Sequence, residues 1–197
     1  IKMALLIKEF KNHDDKFDTK VCVTGQHREM LDQVLDFFNI NPDYDLKLMK
    51  PNQTLFDITA DSVRKIEKIL EEYEPDNIWV QGDTTTVMTA SIAGFYKKIK
   101  ISHLEAGLRS NDKYSPFPEE INRKVTGAIA DYHFAPTKKA VENLKKENVN
   151  GKIWNVGNTV IDALYMGVNI IKENDKKYYE YFKNIDLNKK VVLITGH

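Results

Sequence analysis

Ile78-Trp79-Val80-Gln81-Gly82-Asp83-Thr84-Thr85-Thr86 is an apolar run that stops at a glycine and an acid and then turns to hydroxyl residues. A second run stops at His103-Leu104-Glu105-Ala106-Gly107-Leu108-Arg109. A proline-bounded loop then leads into Ser115-Pro116-Phe117-Pro118-Glu119-Glu120-Ile121-Asn122-Arg123. Short apolar runs bounded by turn residues read as buried strands, and strands alternating with helical stretches form a parallel sheet covered on both faces. In open α/β sheets ligands bind outside the carboxyl ends of the strands. The pattern therefore brings three acids, Asp83, Glu105 and Glu119, within reach of one small molecule.

The flanking sequence continues the alternation. A helix from the start of the chain to about Lys11 leads to a short buried strand, Lys20–Gly25, and a helix with apolar positions at Met30, Leu31, Val34, Leu35 and Phe38. Asp45–Met49 reads as an edge strand. From Thr54 the helical period is strongest, through Leu55, Ile58, Val63, Ile66, Ile69, Leu70 and Tyr73, and Thr54 and Asp57 have the spacing of a capping box. After strand 77–82, the small residues Ala90, Ala93 and Gly94 of the next helix permit close packing on the sheet. Strand 99–104, a helix from Pro118 to Ala130, strand 132–135, a helix from Thr137 and strand 152–156 follow. Gly157-Asn158-Thr159 caps a helix running towards Glu173.

The expected organisation is a Rossmann-like domain over 1–171, a helical connector over 172–189, and over 190–197 the first strand of another domain. The opening at Ile1 and the end at His197 read as those of a fragment lacking an opening strand and most of a following domain.

Composition narrows the function. With Lys plus Arg and Asp plus Glu both at 29, the net charge is zero, which argues against a broad nucleic-acid or membrane footprint. No apolar run has the length of a membrane span, and none reads as a signal peptide. The single cysteine, Cys22, lies between valines and is expected to be a reduced core residue of a cytoplasmic protein.

Each acid has two readings. Asp83 is either the N-cap of the following helix or a proton carrier in a pocket lined by open amides and threonine hydroxyls. In extended chain His103 and Glu105 point to one face. As a metal pair they lack a third ligand at fitting spacing. A partly buried Glu105 beside a second carboxylate would instead have a raised pKa suited to general acid–base work, or would simply bond to the Gly107 turn. Glu119 and Glu120 follow Pro118 as a helix dipole favours, although one glutamate would suffice for that. No Gly-x-Gly-x-x-Gly is present, so a nicotinamide role has no support.

Taken together with Gly157-Asn158-Thr159-Val160-Ile161-Asp162, these motifs are similar, in order and over nearly the whole chain, to those of the non-hydrolysing UDP-N-acetylglucosamine 2-epimerases. The resemblance implies the N-terminal half of a two-domain glycosyltransferase-B fold. It also implies interconversion of UDP-GlcNAc and UDP-ManNAc through loss of UDP to a 2-acetamidoglucal and re-addition, supplying ManNAc for surface polysaccharide. No cofactor, no metal, no nucleic acid and no membrane are implied, and the full-length protein is expected to be a homodimer. Asp83, Glu105 and Glu119 match the catalytic carboxylates; Lys2 matches a substrate-binding lysine at the close of the opening loop, and His197 a substrate-binding histidine at the diphosphate. Gln26 and His27 match a region where many bacterial members bind a second UDP-GlcNAc as activator. Glu29 and Asn52 depart from the glutamine and arginine common there. The alternatives are an epimerase of a related UDP-diacetamido uronic acid, a hydrolysing relative, a glycosyltransferase of the same fold, and a sugar-nucleotide binding fragment without activity.

Overall fold

The computed structural model describes residues 1–25 and 28–194. Gln26, His27 and His197 lie outside the described residues. In chain order the elements are α1 (Ala4–Asn12), β1 (Cys22–Val23), α2 (Arg28–Phe37), β2 (Tyr44–Asp45), α3 (Leu55–Tyr73), β3 (Asn77–Gln81), α4 (Thr85–Tyr96) and β4 (Lys100–Leu104), then α5 (Glu119–Ile129), β5 (Tyr132–Ala135), α6 (Lys138–Lys146), β6 (Lys152–Asn155), α7 (Thr159–Glu173) and α8 (Asp175–Tyr181). All strand pairs are parallel, in one ladder of order β3-β4-β5-β6 and a second of β1 with β2. Among the described residues no ladder joins the two.

Strand alternation separates two faces of the larger ladder. Ile78 and Val80 of β3 and Ile101 of β4 pack with Val87 of α4 and with Ala130. Gly94 lets α4 come this close, because a Cβ there would lie 2.5 Å from Ile101 Cδ1 and 2.7 Å from Ile78 Cδ1. α3 joins the same side through Ile66 and Leu70, which meet Ala93, Leu46 and Leu48. α6 covers the far end with Ala140 and Leu144 against Ala106 and Ala135. On the other face Trp79 takes Phe10 of α1 edge-on and stacks on Phe134, with ring centroids 4.8 Å apart.

Capping follows the chemistry of the termini. Thr54 and Asp57 form the reciprocal capping box, and Glu74 closes α3 in a left-handed conformation. Thr137 caps α6 and Asn158 caps α7 through side-chain oxygens.

Four sequence expectations change. Cys22 is exposed rather than in the core, because Val21 and Val23 use the face that packs on Ala4 and Phe38, and the residue between them points the other way. The expected edge strand 45–49 is cut to Tyr44–Asp45 because Lys47 has φ +45°, although Leu46 and Leu48 still donate to Val23 O and Thr24 O. The connector is helical only in part, with α7 reaching Glu173 and α8 ending at Tyr181. Residues 190–194 form no strand and are exposed, since a strand needs a neighbour to take its backbone bonds and none of the described residues supplies one.

Gly107, beside Glu105, is a position where the backbone tolerates no side chain. Its φ is +87°, and a Cβ would fall 2.3 Å from Ala140 O, which sits in the backbone of α6 and cannot step aside. Gly107→Ala is expected to destabilise the fold by about 2–4 kcal/mol, read as a lowered urea midpoint. A midpoint within error of wild type would mean that the loop and α6 are not locked together here.

Candidate active site

The two strand ends meet because β3 and β4 run in register, with Gln81 opposite Leu104 and Gly82 N donating to Leu104 O at 3.1 Å. Gly82 turns the chain at φ +84°, and Thr84 rather than Asp83 becomes the N-cap of α4, accepting from Val87 N. The capping reading of Asp83 is thereby corrected. With α4 starting at Thr85, the residue next to the helix takes the cap and Asp83 is left free to face α5. Its carboxylate receives Arg123 Nη2 at 2.6 Å and Nε at 3.0 Å, both on Oδ2, while its carbonyl receives Asn122 Nδ2 at 2.9 Å.

Glu105 ends β4 in the left-handed region, at φ +65°. A non-glycine residue there is strained by about 1–3 kcal/mol and persists where its surroundings over-determine it. Those surroundings are visible: Ala106, fully buried, rejoins the ladder by donating to Phe134 O, and Gly107 is wedged against α6. The conformation breaks the alternation on which the His103–Glu105 pairing rested, so the two side chains diverge.

The Glu105 carboxylate is surrounded by donors. Lys2 Nζ lies 2.6 and 2.7 Å from its two oxygens, Gln81 Nε2 donates at 2.6 Å, and Asn158 Nδ2 donates at 3.3 Å. The expected neighbouring carboxylate is replaced by an ammonium. Lys2 is itself held by Thr159, whose hydroxyl donates to Lys2 O at 2.8 Å, and Asn158 caps α7 with one amide atom while serving Glu105 with the other. Gly82, which precedes Asp83, lies beside Glu105: a Cβ on it would stand 3.8 Å from Glu105 Oε2.

Glu119 opens α5, four residues before Arg123 and so on the same helix face. It is half-buried. Glu120, treated in the sequence as an ordinary helix-start acid, is fully buried. Burial pushes its pKa up, but Ser110 N–H, Asn111 N–H and the Arg123 and Arg109 guanidiniums outweigh that and hold it below the usual carboxylate range. Arg109 is buried too, in a two-pronged pair with Glu147 at 2.6 and 2.8 Å.

His103 is buried behind the site, its Nε2 2.7 Å from Gly82 O. A carbonyl only accepts, so Nε2 carries the proton, and Nδ1 has no partner. Burial above all, then repulsion from His133 and Arg109, lowers its pKa to about 4, so it is neutral and holds the Gly82 peptide that precedes Asp83. The residues that spacing alone missed are Gln81, Asn122, Arg123 and Asn158. The one sequence signal was their position inside or beside the motifs, four residues from Glu119 in the case of Arg123.

A parallel α/β domain with acids clustered beyond its strand ends, each gripped by donors from a neighbouring motif, is the class of domain that binds and transforms small molecules at that edge. The chain belongs to the UDP-N-acetylglucosamine 2-epimerase family, whose model matches residues 8–197. It is 50% identical over its whole length to a UDP-N-acetylglucosamine 2-epimerase of Yersinia pestis, covering 53% of that protein. A crystal structure of the Neisseria meningitidis UDP-GlcNAc 2-epimerase bound to UDP-GlcNAc superposes with a TM-score of 0.87 at 46% identity, over 96% of this chain and 52% of the other. The Methanocaldococcus jannaschii UDP-GlcNAc 2-epimerase in complex with UDP-GlcNAc and UDP gives 0.81 at 35% identity, over 91% of this chain and 50% of the other. The chain thus spans about half the length of the relatives it matches, and that half is the N-terminal one. Its fold is the Rossmann-like N-terminal part of the glycosyltransferase-B arrangement.

The buried histidines give the domain a pH signature. His103 has a folded pKa of about 4 against about 6.5 unfolded, and burial lowers His133 as well. Between those values the unfolded chain binds a proton that the native state refuses, so stability is full above about pH 6.5 and falls on acidification towards pH 4. His103 alone contributes a slope of at most about 1.4 kcal/mol per pH unit. Urea midpoints measured across that window should decline, and His103→Gln should flatten the decline. An unaltered slope in the variant would remove His103 as its source.

Proposed function

We propose that the protein carrying this chain interconverts UDP-GlcNAc and UDP-ManNAc in the cytoplasm, supplying ManNAc units for surface polysaccharide, with Asp83, Glu105 and Glu119 as the acid–base groups. The observation that carries the reading is the convergence of Asp83 and Glu105 at adjacent strand ends, with Glu119 at the start of the helix that grips Asp83, in a chain of this family.

The reaction needs proton transfer at one carbon from two sides. A carboxylate takes the proton from C2, and the C–H bonding pair becomes the C1–C2 double bond. The C1–O bond breaks with its electrons leaving on the diphosphate oxygen of UDP. In the return step that oxygen attacks C1, and an acid on the opposite face delivers a proton to C2. Electrons and protons balance without a redox cofactor. One general acid–base group at each face contributes about 10²–10⁴-fold. Arg123 and Lys2 keep Asp83 and Glu105 aimed rather than free to rotate, which is the positioning such steps require. His197, matched by resemblance to a diphosphate contact, and the homodimer belong to the same proposal.

Two measurements test it. Asp83→Asn, Glu105→Gln and Glu119→Gln should each lower kcat by about 10²–10⁴-fold while UDP affinity stays within about threefold. Wild-type turnover in any of them would take that residue out of the mechanism. In D2O the product should carry deuterium at C2; full retention of the original hydrogen would exclude proton exchange through these carboxylates.

A further inference from the structure

Glu120 is the one fully buried acid of the described residues, and its burial has no explanation in the helix start it occupies. One carboxylate near an N-terminus satisfies the helix dipole, and half-buried Glu119 already provides it. The partners of Glu120 show a different purpose. Ser110 N donates to Oε2 at 3.0 Å, Asn111 N donates to Oε1 at 3.1 Å, and Arg123 Nη1 donates to Oε2 at 3.1 Å. All three are donors. Asn111 holds φ +66° to present its amide, so the loop after Glu105 is bent to reach this acid.

Arg123 is therefore shared by two carboxylates. Nη1 is fixed on Glu120, and Nε with Nη2 is fixed on Asp83 Oδ2. A guanidinium is planar, so pinning one nitrogen sets the direction of the other two. Were Arg123 held by Asp83 alone, the pair would be free to swing together. We infer that Glu120 is a positioning residue for the proton transfer assigned to Asp83. It acts through Arg123, and it pins the loop that leaves Glu105 to the same point. The inference rests on the reading of Asp83 as a proton carrier.

An acceptor-only group is required at this position. An amide of the same shape must turn its NH2 towards an N–H or towards the guanidinium, setting donor against donor in a buried place. Glu120→Gln should thus lower kcat by about 10–100-fold with KM within about threefold, because the acid that moves a proton is misaimed while substrate contacts remain. The effect should pass through Arg123: in an Arg123→Lys background the added Glu120→Gln should cost less than about threefold more. A merely structural role would lower the melting temperature and leave kcat per folded molecule and the non-additivity unmoved.

A second readout needs no turnover. In ¹⁵N spectra the Arg123 Nε–H of wild type should exchange slowly with water, and in Glu120→Gln its exchange should rise by about tenfold or more towards that of exposed arginines. Unchanged exchange, or a full multiplicative effect in the double variant, overturns the positioning role. If wild type shows no epimerisation of UDP-GlcNAc, the proposed reaction fails, while the exchange experiment still decides whether Glu120 sets Arg123. Should Glu120→Gln not fold, Glu120→Asp, which keeps the charge and withdraws it by one methylene, is measured in the same ways.

Discussion

The parallel ladder between β3 and β4 is the constraint on which the site depends. Its register sets Gln81 against Leu104, so both strands end at one level, and Gly82 adds a further bond to Leu104 O as the chain turns away. A shift of one residue would send every side chain to the other face. Val80 and Ile101 would leave the core under α4, and Gln81 would no longer point at Glu105. The apolar pattern that makes the core thereby also sets where the acids stand. Core and site share one register.

On that frame each acid is held by cations and amides of a different chain segment. Asp83 is held by α5, Glu105 by the start of the chain and by the start of α7, and Glu120 by the loop that joins β4 to α5. Ion pairs of this partly buried kind add little net stability, since desolvation offsets their attraction, but removing one partner leaves an uncompensated charge at a cost of about 3–5 kcal/mol. Their value is directional. They force four separate segments to agree on one geometry, and the left-handed backbone at Glu105 persists because that agreement outweighs its strain.

The opposite face of the sheet solves a separate packing problem. Trp79 of β3 reaches across β4 to stack on Phe134 of β5, which in turn stacks on Trp154 at 5.1 Å. Phe10 then docks on Trp79, and this contact fastens α1, and with it Lys2, to the face from which Glu105 is reached. Offset and edge-on aromatic pairs contribute about 0.5–1.5 kcal/mol each beyond area burial.

The parallel α/β class, most helix limits, the caps at Thr54 and Asn158, and the placement of Asp83 and Glu105 just beyond adjacent strand ends were legible in the residues, because strand period, capping chemistry and the strand-end rule are local or follow from alternation. What stayed hidden required partners distant in the chain. Thr84 rather than Asp83 caps α4, and Asp83 meets Arg123, 40 residues on. Glu105 left the strand period and exchanged an expected carboxylate neighbour for Lys2, 103 residues away. Glu120 looked like a helix-start acid until three donors from two segments converged on it. Periodicity can say which face a side chain leaves by. Only the folded chain brings together the charges that decide what it meets, since an ion pair between distant segments depends on separation in space and carries no trace in local spacing.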